Sequence, residues 1–525
     1  MAVYNSGRMK ISTTARIALS LSSGLALALA YPSYKLPLLG WIAPAMLIFA
    51  MLGATPQSGA LLGFLQGVIY FPVSLAWIYE VLRQFGPLTP LQAAGVMAAI
   101  SVAGSAFHAV FGASVAWVSR KNVGAACVLA PFLWVAQEFA RMHLPDVGFP
   151  WNLLGYTASG NLALVQITTV TGIFGLSWLV AAYNALLAWM AVDSFTPKRG
   201  RAAAIWAGAT AVLVTIAWAG PRWVPRAQAD HVAHLVQTDF PQSMSYPADW
   251  MQIHAGELDE LARMSVSAAQ RSPGLVVWPE VPAQFSLQDP RFAARAEEIA
   301  RDAGHGFLVG EEDWKRLPNG SYGNVTNSAA LLDPRGNETF LYDKIHLVPF
   351  GEYVPWRRWL TFTGRMTADL GDFSRGSEYS VGEIGGGRFG VFICYESIFP
   401  NEVRQFTKNG AELLVNISND GWFGRDSAPA QHVAMARVRA VENRRWLLRD
   451  TNNGFTVSVD PYGRTVASLA PDIRGQLDAP YGFRSDLTLY TCYGDWIAWM
   501  SILAAVVIFL MLGFRRKQTP RAELS

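Results

Sequence analysis

Charge is what this chain has least of. Of its 525 residues, 15% are Asp, Glu, Lys or Arg, against about 25% in an ordinary soluble domain. With 51% hydrophobic residues and a positive mean hydropathy, the shortage argues against a wholly soluble globule and for a protein of the bilayer. The charges nearly cancel, to a net +3, which is too little for the basic footprint of a nucleic-acid binder. Cysteine is also scarce. Cys127, Cys394 and Cys492 are the only three, and an odd, scattered set makes no disulfide framework. No Cys/His cluster has the spacing of a zinc site, so neither a metal nor another cofactor is expected.

Long apolar runs are what the chain has instead. They fall at about Ile17–Ala30, Leu36–Leu52, Gly59–Leu82, Leu91–Val118, Val123–Phe139, Leu162–Val192, Ala202–Ala219 and Trp496–Phe514. Most approach the roughly 20 residues that cross a bilayer, so about eight spans are expected. Ala28-Leu29-Ala30 has the small-residue look of a signal-peptidase site, but the next run follows so closely that a hairpin of helices is the better reading. Basic residues cluster at four places: Arg8 to Arg16, Arg120-Lys121, Lys198 to Arg201, and Arg515 to Arg521. All four fall on one side if both termini are cytoplasmic. The long segment between the last two runs then faces outward, which in a Gram-negative cell is the periplasm.

That gives three regions: a membrane part over 1–220, a soluble domain over 221–493, and a last span with a basic tail over 494–525. The soluble part alternates strand-like and helix-like stretches. Val232–Gln237, Leu275–Trp278, Phe307–Gly310, Gly390–Ile393, Leu413–Ile417, Trp446–Asp450 and Phe455–Asp460 read as strands. Gly256–Gln270, Phe292–Ala303, Asn401–Lys408 and His432–Arg445 read as helices. Ser328–Leu332 and Thr339–Tyr342 flank the turn signal Asp333-Pro334-Arg335-Gly336 and predict a hairpin. A layered α/β domain follows.

Three strand ends in this domain carry ionisable groups. LVVWPEVPA places Glu280 just past a buried strand, YDKIHLVPFGEYVPW carries Lys344 and Glu352 around a turn, and RFGVFICYESIFP ends its strand on Cys394, followed by Tyr395 and Glu396. Each has an ordinary alternative: a solvated turn carboxylate, a surface lysine, a turn brace, or a thiol packed as a small hydrophobe. Glu396 could equally be the partner of a nearby Arg or Lys.

Taken in order, these stretches resemble the nitrilase superfamily, whose catalytic triad is Glu–Lys–Cys. The likeness is closer to its membrane-embedded branch, the apolipoprotein N-acyltransferases. The motifs that carry it are VWPE at Val277–Glu280, K-x-HLVPFGEYVP at Lys344–Pro355, ICYE at Ile393–Glu396, ISNDGWFG at Ile417–Gly424, H-x-x-x-A-R-x-R-A-x-E-N-R from His432, and TNNG from Thr451. Gly148-Phe149-Pro150-Trp151 on the membrane side also fits. Ile345 departs where the family often has arginine, and Tyr246 where a tryptophan is usual.

The resemblance implies a multi-pass α-helical membrane domain joined to an αββα sandwich, with no cofactor. It implies Cys394 as the nucleophile, Glu280 as the general base and Lys344 as the stabiliser of the oxyanion, with the backbone N–H of Tyr395. Glu352 and Glu396 would support them. It also implies the partners: a membrane phospholipid, phosphatidylethanolamine above all, as acyl donor, and the diacylglyceryl-cysteine of apolipoproteins as acceptor. Substrate or lid candidates are Trp151, Tyr246, Trp356 and Trp422. An arm over Val354–Phe373, rich in Trp and Arg, suits a bilayer interface. The rival readings are a membrane-tethered amide or nitrile hydrolase using the same triad, and a transporter or scaffold whose outer domain only binds. His108, the one histidine inside a span, is a functional suspect or a packing residue.

Overall fold

The structure is a computed structural model that describes residues 3–5, 8–86, 88–193, 200–243, 246–283, 285–316, 322–356, 373–424 and 427–514. The chain divides into two compact units. The first comprises Met1–Ala76, Leu91–Trp223 and Asp495–Ser525; the second comprises Trp77–Pro90 and Val224–Gly494.

The first unit is helical apart from a short hairpin of β1 (Val3–Asn5) and β2 (Arg8–Lys10). Its helices are α1 (Thr13–Leu29), α2 (Ala43–Met51), α3 (Pro56–Ser74), α5 (Pro90–Ser119), α6 (Val123–Met142), α7 (Thr168–Asp193), α8 (Arg201–Ala219) and α15 (Trp496–Phe514). Between α3 and α5 the chain forms α4 (Ala76–Gln84), which belongs almost wholly to the second unit. Side-chain oxygens of Ser12, Thr55 and Asn122 cap α1, α3 and α6, as short polar residues do at helix starts.

Among the described residues, four helical segments are long and apolar enough to cross a membrane, or up to five if α3 and α4 count as one bent span. Three further apolar helices, Thr13–Leu29, Pro37–Met51 and Trp496–Val507, are shorter. The expected second span is broken: a 3-10 turn runs over Pro37–Trp41 before α2 begins, where Pro37, Gly40 and Pro44 interrupt regular helix. Helices α3 and α5 approach through small residues. A methyl group on Gly59, Gly63 or Gly67 would strike Gly112, the His108 carbonyl or Ser105 respectively. Spacing of four puts these glycines on one helix face, the arrangement that lets membrane helices pack backbone to backbone.

Among its described residues the second unit contains two six-stranded sheets. One has the order β14 (Gly475–Tyr481), β3 (His231–Gln237), β4 (Leu275–Val277), β5 (Phe307–Arg316), β6 (Tyr322–Leu332), β7 (Glu338–Asp343). The other has the order β13 (Thr465–Leu469), β12 (Thr456–Val459), β11 (Trp446–Thr451), β10 (Leu413–Ser418), β9 (Gly387–Ile393), β8 (Val381–Ile384). Each has a parallel centre, β3–β4–β5 and β9–β10–β11, flanked by antiparallel strands. Central strands β4, β10 and β11 are buried along their whole length, as strands covered on both faces must be.

The two sheets face each other, and helices cover their outer faces. Helices α10 (Ala255–Arg271) and α11 (Pro290–Ala303), preceded by the short α9 (Trp250–Ile253), lie on the first sheet. Leu261, Phe292 and Ile299 there join Trp278, Phe307 and Val309 in one apolar core. Helices α12 (Pro400–Lys408) and α13 (Ala428–Asn443) cover the second sheet, with α14 (Leu489–Tyr493) beside them. The last strand, β14, returns to pair antiparallel with the first, β3, so that His231 stands opposite Tyr481.

Candidate active site

Strand β4 ends at Val277, and Trp278-Pro279 carry the chain over the sheet edge to Glu280. Proline cannot continue a ladder, and Trp278 is anchored by its indole N–H to Ser265 Oγ at 3.0 Å. Gly310 on β5 makes room: a methyl group there would sit 2.5 Å from the Pro279 carbonyl oxygen and 2.8 Å from Glu280 Cα.

Glu280 is 5% exposed. Its Oε1 accepts from Lys344 Nζ at 3.0 Å and Asn327 Nδ2 at 2.8 Å, and its Oε2 accepts from the Asn419 N–H at 2.8 Å. Lys344, directly after β7, also donates to Glu352 Oε1 at 2.9 Å, and Asn327 Nδ2 does so at 2.8 Å. Glu352 Oε2 accepts from the Val348 N–H at 2.7 Å. Two carboxylates thus share one ammonium and one amide. Burial pulls the Lys344 pKa down, but Glu280 and then Glu352 outweigh it and hold the pKa well above the ordinary lysine value. The ammonium is therefore fixed as a charge.

Cys394 stands where β9 ends, with φ of +50°. That left-handed backbone is costly for a residue with a side chain, and it turns the strand at once into a 3-10 turn over Cys394–Ile398. The thiol is buried. Burial first, and the Glu280 charge second, raise its pKa well above the ordinary thiol value; Lys344 opposes them, and Ser418 offers a hydrogen bond. At neutral pH the thiol rests protonated and needs a base before it can attack.

A second buried network holds the Cys394 backbone. His432 Nε2 lies 3.1 Å from the Cys394 carbonyl oxygen and 2.7 Å from Ser397 Oγ; its Nδ1 lies 3.1 Å from Asp420 Oδ1. Arg449 Nη2 donates to both Asp420 oxygens at 2.8 Å. Burial alone would raise the Asp420 pKa, but the Arg449 guanidinium drives it well below the ordinary carboxylate range. Burial and then Arg449 lower the His432 pKa.

Glu396 ties the Cys394 turn to the Lys344 loop. Its Oε1 accepts from Tyr342 Oη at 2.8 Å, Ile345 N at 2.7 Å and His346 N at 3.1 Å, and its Oε2 accepts from Ile393 N at 2.7 Å. Its partners are backbone amides and a phenol. No Arg or Lys hydrogen-bonds it among the described residues, and the Lys344 charge reaches it without a bond. Burial pushes its pKa up to about 7.

Of the remaining candidates, Tyr395 is buried with its ring against His346 and Phe399. Trp422 is half-buried, edge-on to Phe85 of the same unit at 4.9 Å. Tyr246 is half-buried and edge-on to Trp250 at 5.9 Å. Trp356 is 45% exposed. Trp151 is fully buried in the first unit, stacked on Phe149 at 5.6 Å. His108 in that unit is buried and bonded to Gln66. Most of the expected arm, 357–372, lies outside the described residues.

Sequence reading missed Asn327, which sits in the polar run Asn324 to Ser328 and gives no catalytic signal. His432, Asp420 and Arg449 went without roles, although His432 and Asp420 lie in the motifs quoted.

The Carbon-nitrogen hydrolase model matches residues 250–479, and the Apolipoprotein N-acyltransferase N-terminal domain model matches residues 23–186. An apolipoprotein N-acyltransferase of Geobacter metallireducens is 36% identical, over 94% of this chain and 94% of its own. This chain belongs to the apolipoprotein N-acyltransferase family. A second relative of that name, from Methylococcus capsulatus, is 31% identical over 93% of this chain and 94% of its own. Among solved structures, an amidase from Nesterenkonia sp. is 22% identical, covering 49% of this chain and 93% of its own, with a TM-score of 0.35.

Proposed function

We propose that this chain is an apolipoprotein N-acyltransferase of the bacterial inner membrane. It moves a fatty acyl group from a membrane phospholipid, phosphatidylethanolamine being the proposed donor, to the α-amine of an N-terminal diacylglyceryl-cysteine. The observation that carries the reading is the buried set of Glu280, Lys344 and Cys394, at the ends of strands from both sheets, in a chain of this family.

In the first half-reaction Glu280 takes the thiol proton as Cys394 sulfur attacks the donor ester carbonyl. The fixed charge of Lys344 and the Tyr395 N–H stabilise the oxyanion. The C–O bond then breaks, the leaving alkoxide takes the proton from Glu280, and a thioester remains on Cys394. In the second half-reaction the amine attacks the thioester, its proton passes through Glu280 to the sulfur, and the C–S bond breaks. Glu352 shares the Lys344 ammonium and keeps it in place, and Glu396 keeps the two loops in register.

The membrane reading is about eight spans with both termini cytoplasmic and the catalytic domain periplasmic. The four long helices, the bent α3–α4 pair and the three shorter apolar helices support that number. Trp356, Trp422 and Tyr246 are the proposed lipid-side or lid residues, with Trp151 on the membrane side.

The test is intact mass of the purified protein incubated with phospholipid. A fatty-acyl adduct on Cys394 is expected, released by a diacylglyceryl-cysteine peptide and missing in Cys394→Ala. Release by water as fast as by peptide would make the chain a hydrolase; no adduct at all would sink the thioester reading.

A further inference from the structure

Strands β5 and β6 pair so that Glu312 stands directly opposite Asn327. Opposed residues of an antiparallel pair share a face, with Cβ atoms about 5 Å apart. That face is the one that carries the site. The Asn327 amide reaches Glu280 and Glu352, and Gly310, two residues before Glu312, lies beneath Pro279–Val281. Glu311 points the other way and is already engaged, its Oε2 accepting from the Leu287 N–H at 2.6 Å.

The Glu312 main chain is tied down, its N–H donating to the Phe285 carbonyl at 2.8 Å. Its half-buried carboxylate has no hydrogen-bond or ion-pair partner among the described residues. Asn327 Oδ1 is likewise buried without a partner among them. Lys344 already bonds Glu280 and Glu352. Tyr246 is close enough that, after burial and against the Ser243 hydrogen bond, the Glu312 charge contributes to raising its phenol. Two acceptors without a partner among the described residues, one of them a carboxylate, are therefore carried by directly opposed residues, one of which bonds the candidate base. A primary ammonium, with one positive charge and three N–H donors, is their chemical complement.

We propose that Glu312 and Asn327 Oδ1 dock a primary ammonium beside Glu280. The proposal rests on the acyl-transfer reading above. It allows two sources of that ammonium, the α-amine of the acceptor and the ethanolamine headgroup of the donor. For the acceptor the assignment also closes the proton balance. Amide formation from an ester and an ammonium releases one proton overall, and Glu280 alone only relays the proton between amine and sulfur. At the docked ammonium one N–H bond breaks and an O–H bond forms on Glu312. The freed amine then forms the C–N bond, the C–S bond breaks, and the amine's second proton reaches the sulfur through Glu280. Glu312, being partly exposed, gives its proton to water. Burial lifts Glu312 to about 7, close to the roughly 7.7–8.0 of an α-amine.

The experiment separates the half-reactions in the full-length protein with Glu312→Gln, Glu312→Ala and Glu312→Asp. Acylation of Cys394 is timed by intact mass with phosphatidylethanolamine and with phosphatidylglycerol, and deacylation with a diacylglyceryl-cysteine peptide. For an acceptor site, kcat/KM for the peptide falls about tenfold or more in the Gln and Ala variants, the loss typical of a charged hydrogen bond. The Asp variant is intermediate, and acylation from phosphatidylglycerol proceeds at the wild-type rate. For a donor site, acylation from phosphatidylethanolamine falls and the phosphatidylglycerol and peptide rates do not. Unchanged rates throughout, or equal losses with both lipids, overturn the proposal. In the unsubstituted protein ethylammonium competes with the peptide and tetramethylammonium, which has no N–H, does not; equal competition by both also overturns it. Absence of any acyl-Cys394 in the wild type would instead defeat the acyl-transfer reading.

Discussion

His432 Nε2 lies 3.1 Å from the carbonyl oxygen of Cys394, so a residue 38 positions away holds the strained backbone that aims the thiol. His432→Ala is expected to lower the rate of Cys394 acylation by about 10²-fold, the cost of small misplacements of reacting groups. The KM for phospholipid should stay near wild type. His432→Gln, which keeps a side-chain N–H, should recover part of the loss. A timed intact-mass measurement on both variants decides it: equal loss in the two would mean that the N–H to the carbonyl has no positioning role.

Glu280→Gln should separate proton transfer from thiol accessibility. The thiol pKa is raised by burial first and by the Glu280 charge second, so removing that charge lowers it. Alkylation of Cys394 by iodoacetamide should be as fast as in the wild type or faster. Acylation by phospholipid should drop by about 10²- to 10⁴-fold, the usual worth of a general base. A parallel fall in alkylation would assign Glu280 to structure instead.

Glu396 makes a pH-dependent contribution to stability. Its folded pKa, raised to about 7 by burial, exceeds the roughly 4.3 of an unfolded glutamate. Its favourable contribution is complete below that lower value and is lost as pH rises toward the upper one. The thermal midpoint of the wild type relative to Glu396→Gln should therefore be most favourable near pH 4 and decline up to about pH 7, then level off. A difference that grows with pH over this window would contradict the assignment.

The close approach of α3 and α5 predicts unequal glycines. Gly63→Ala places a methyl against the His108 carbonyl and should destabilise the protein by about 1–3 kcal/mol, as overpacking does. Gly95→Ala, with nothing within 4 Å of the new methyl, should be neutral or slightly stabilising. Thermal midpoints of the two variants in detergent test the contrast.

How far the sequence could be read depended on which signal each residue sends. Buried central strands such as Leu413–Ser418 announce themselves as apolar runs, and α10 and α11 by their helical period. The strand at Phe307 reads as ending at Gly310, yet it continues to Arg316. Its second half is charged: Glu311 accepts from the Leu287 N–H and Lys315 pairs with Asp313. Edge strand β13 has only exposed and half-buried residues and gives little apolar signal. Glu280, Lys344 and Cys394 stand out as ionisable groups at strand ends, and only their order in the quoted motifs sets them apart from an ordinary turn carboxylate, surface lysine and core thiol. Asn327 was not legible, because a polar residue in a strand normally means a solvent face, and here that face looks into the domain.

The pairing of β14 with β3 makes the second unit's main segment a closed module. In the Val224–Gly494 segment the first strand and the last share one ladder, with His231 opposite Tyr481. That ladder makes residues 231 and 481 the positions to join by a short linker in a circular permutation of the second unit, with new termini opened in the turn at Asp333–Gly336.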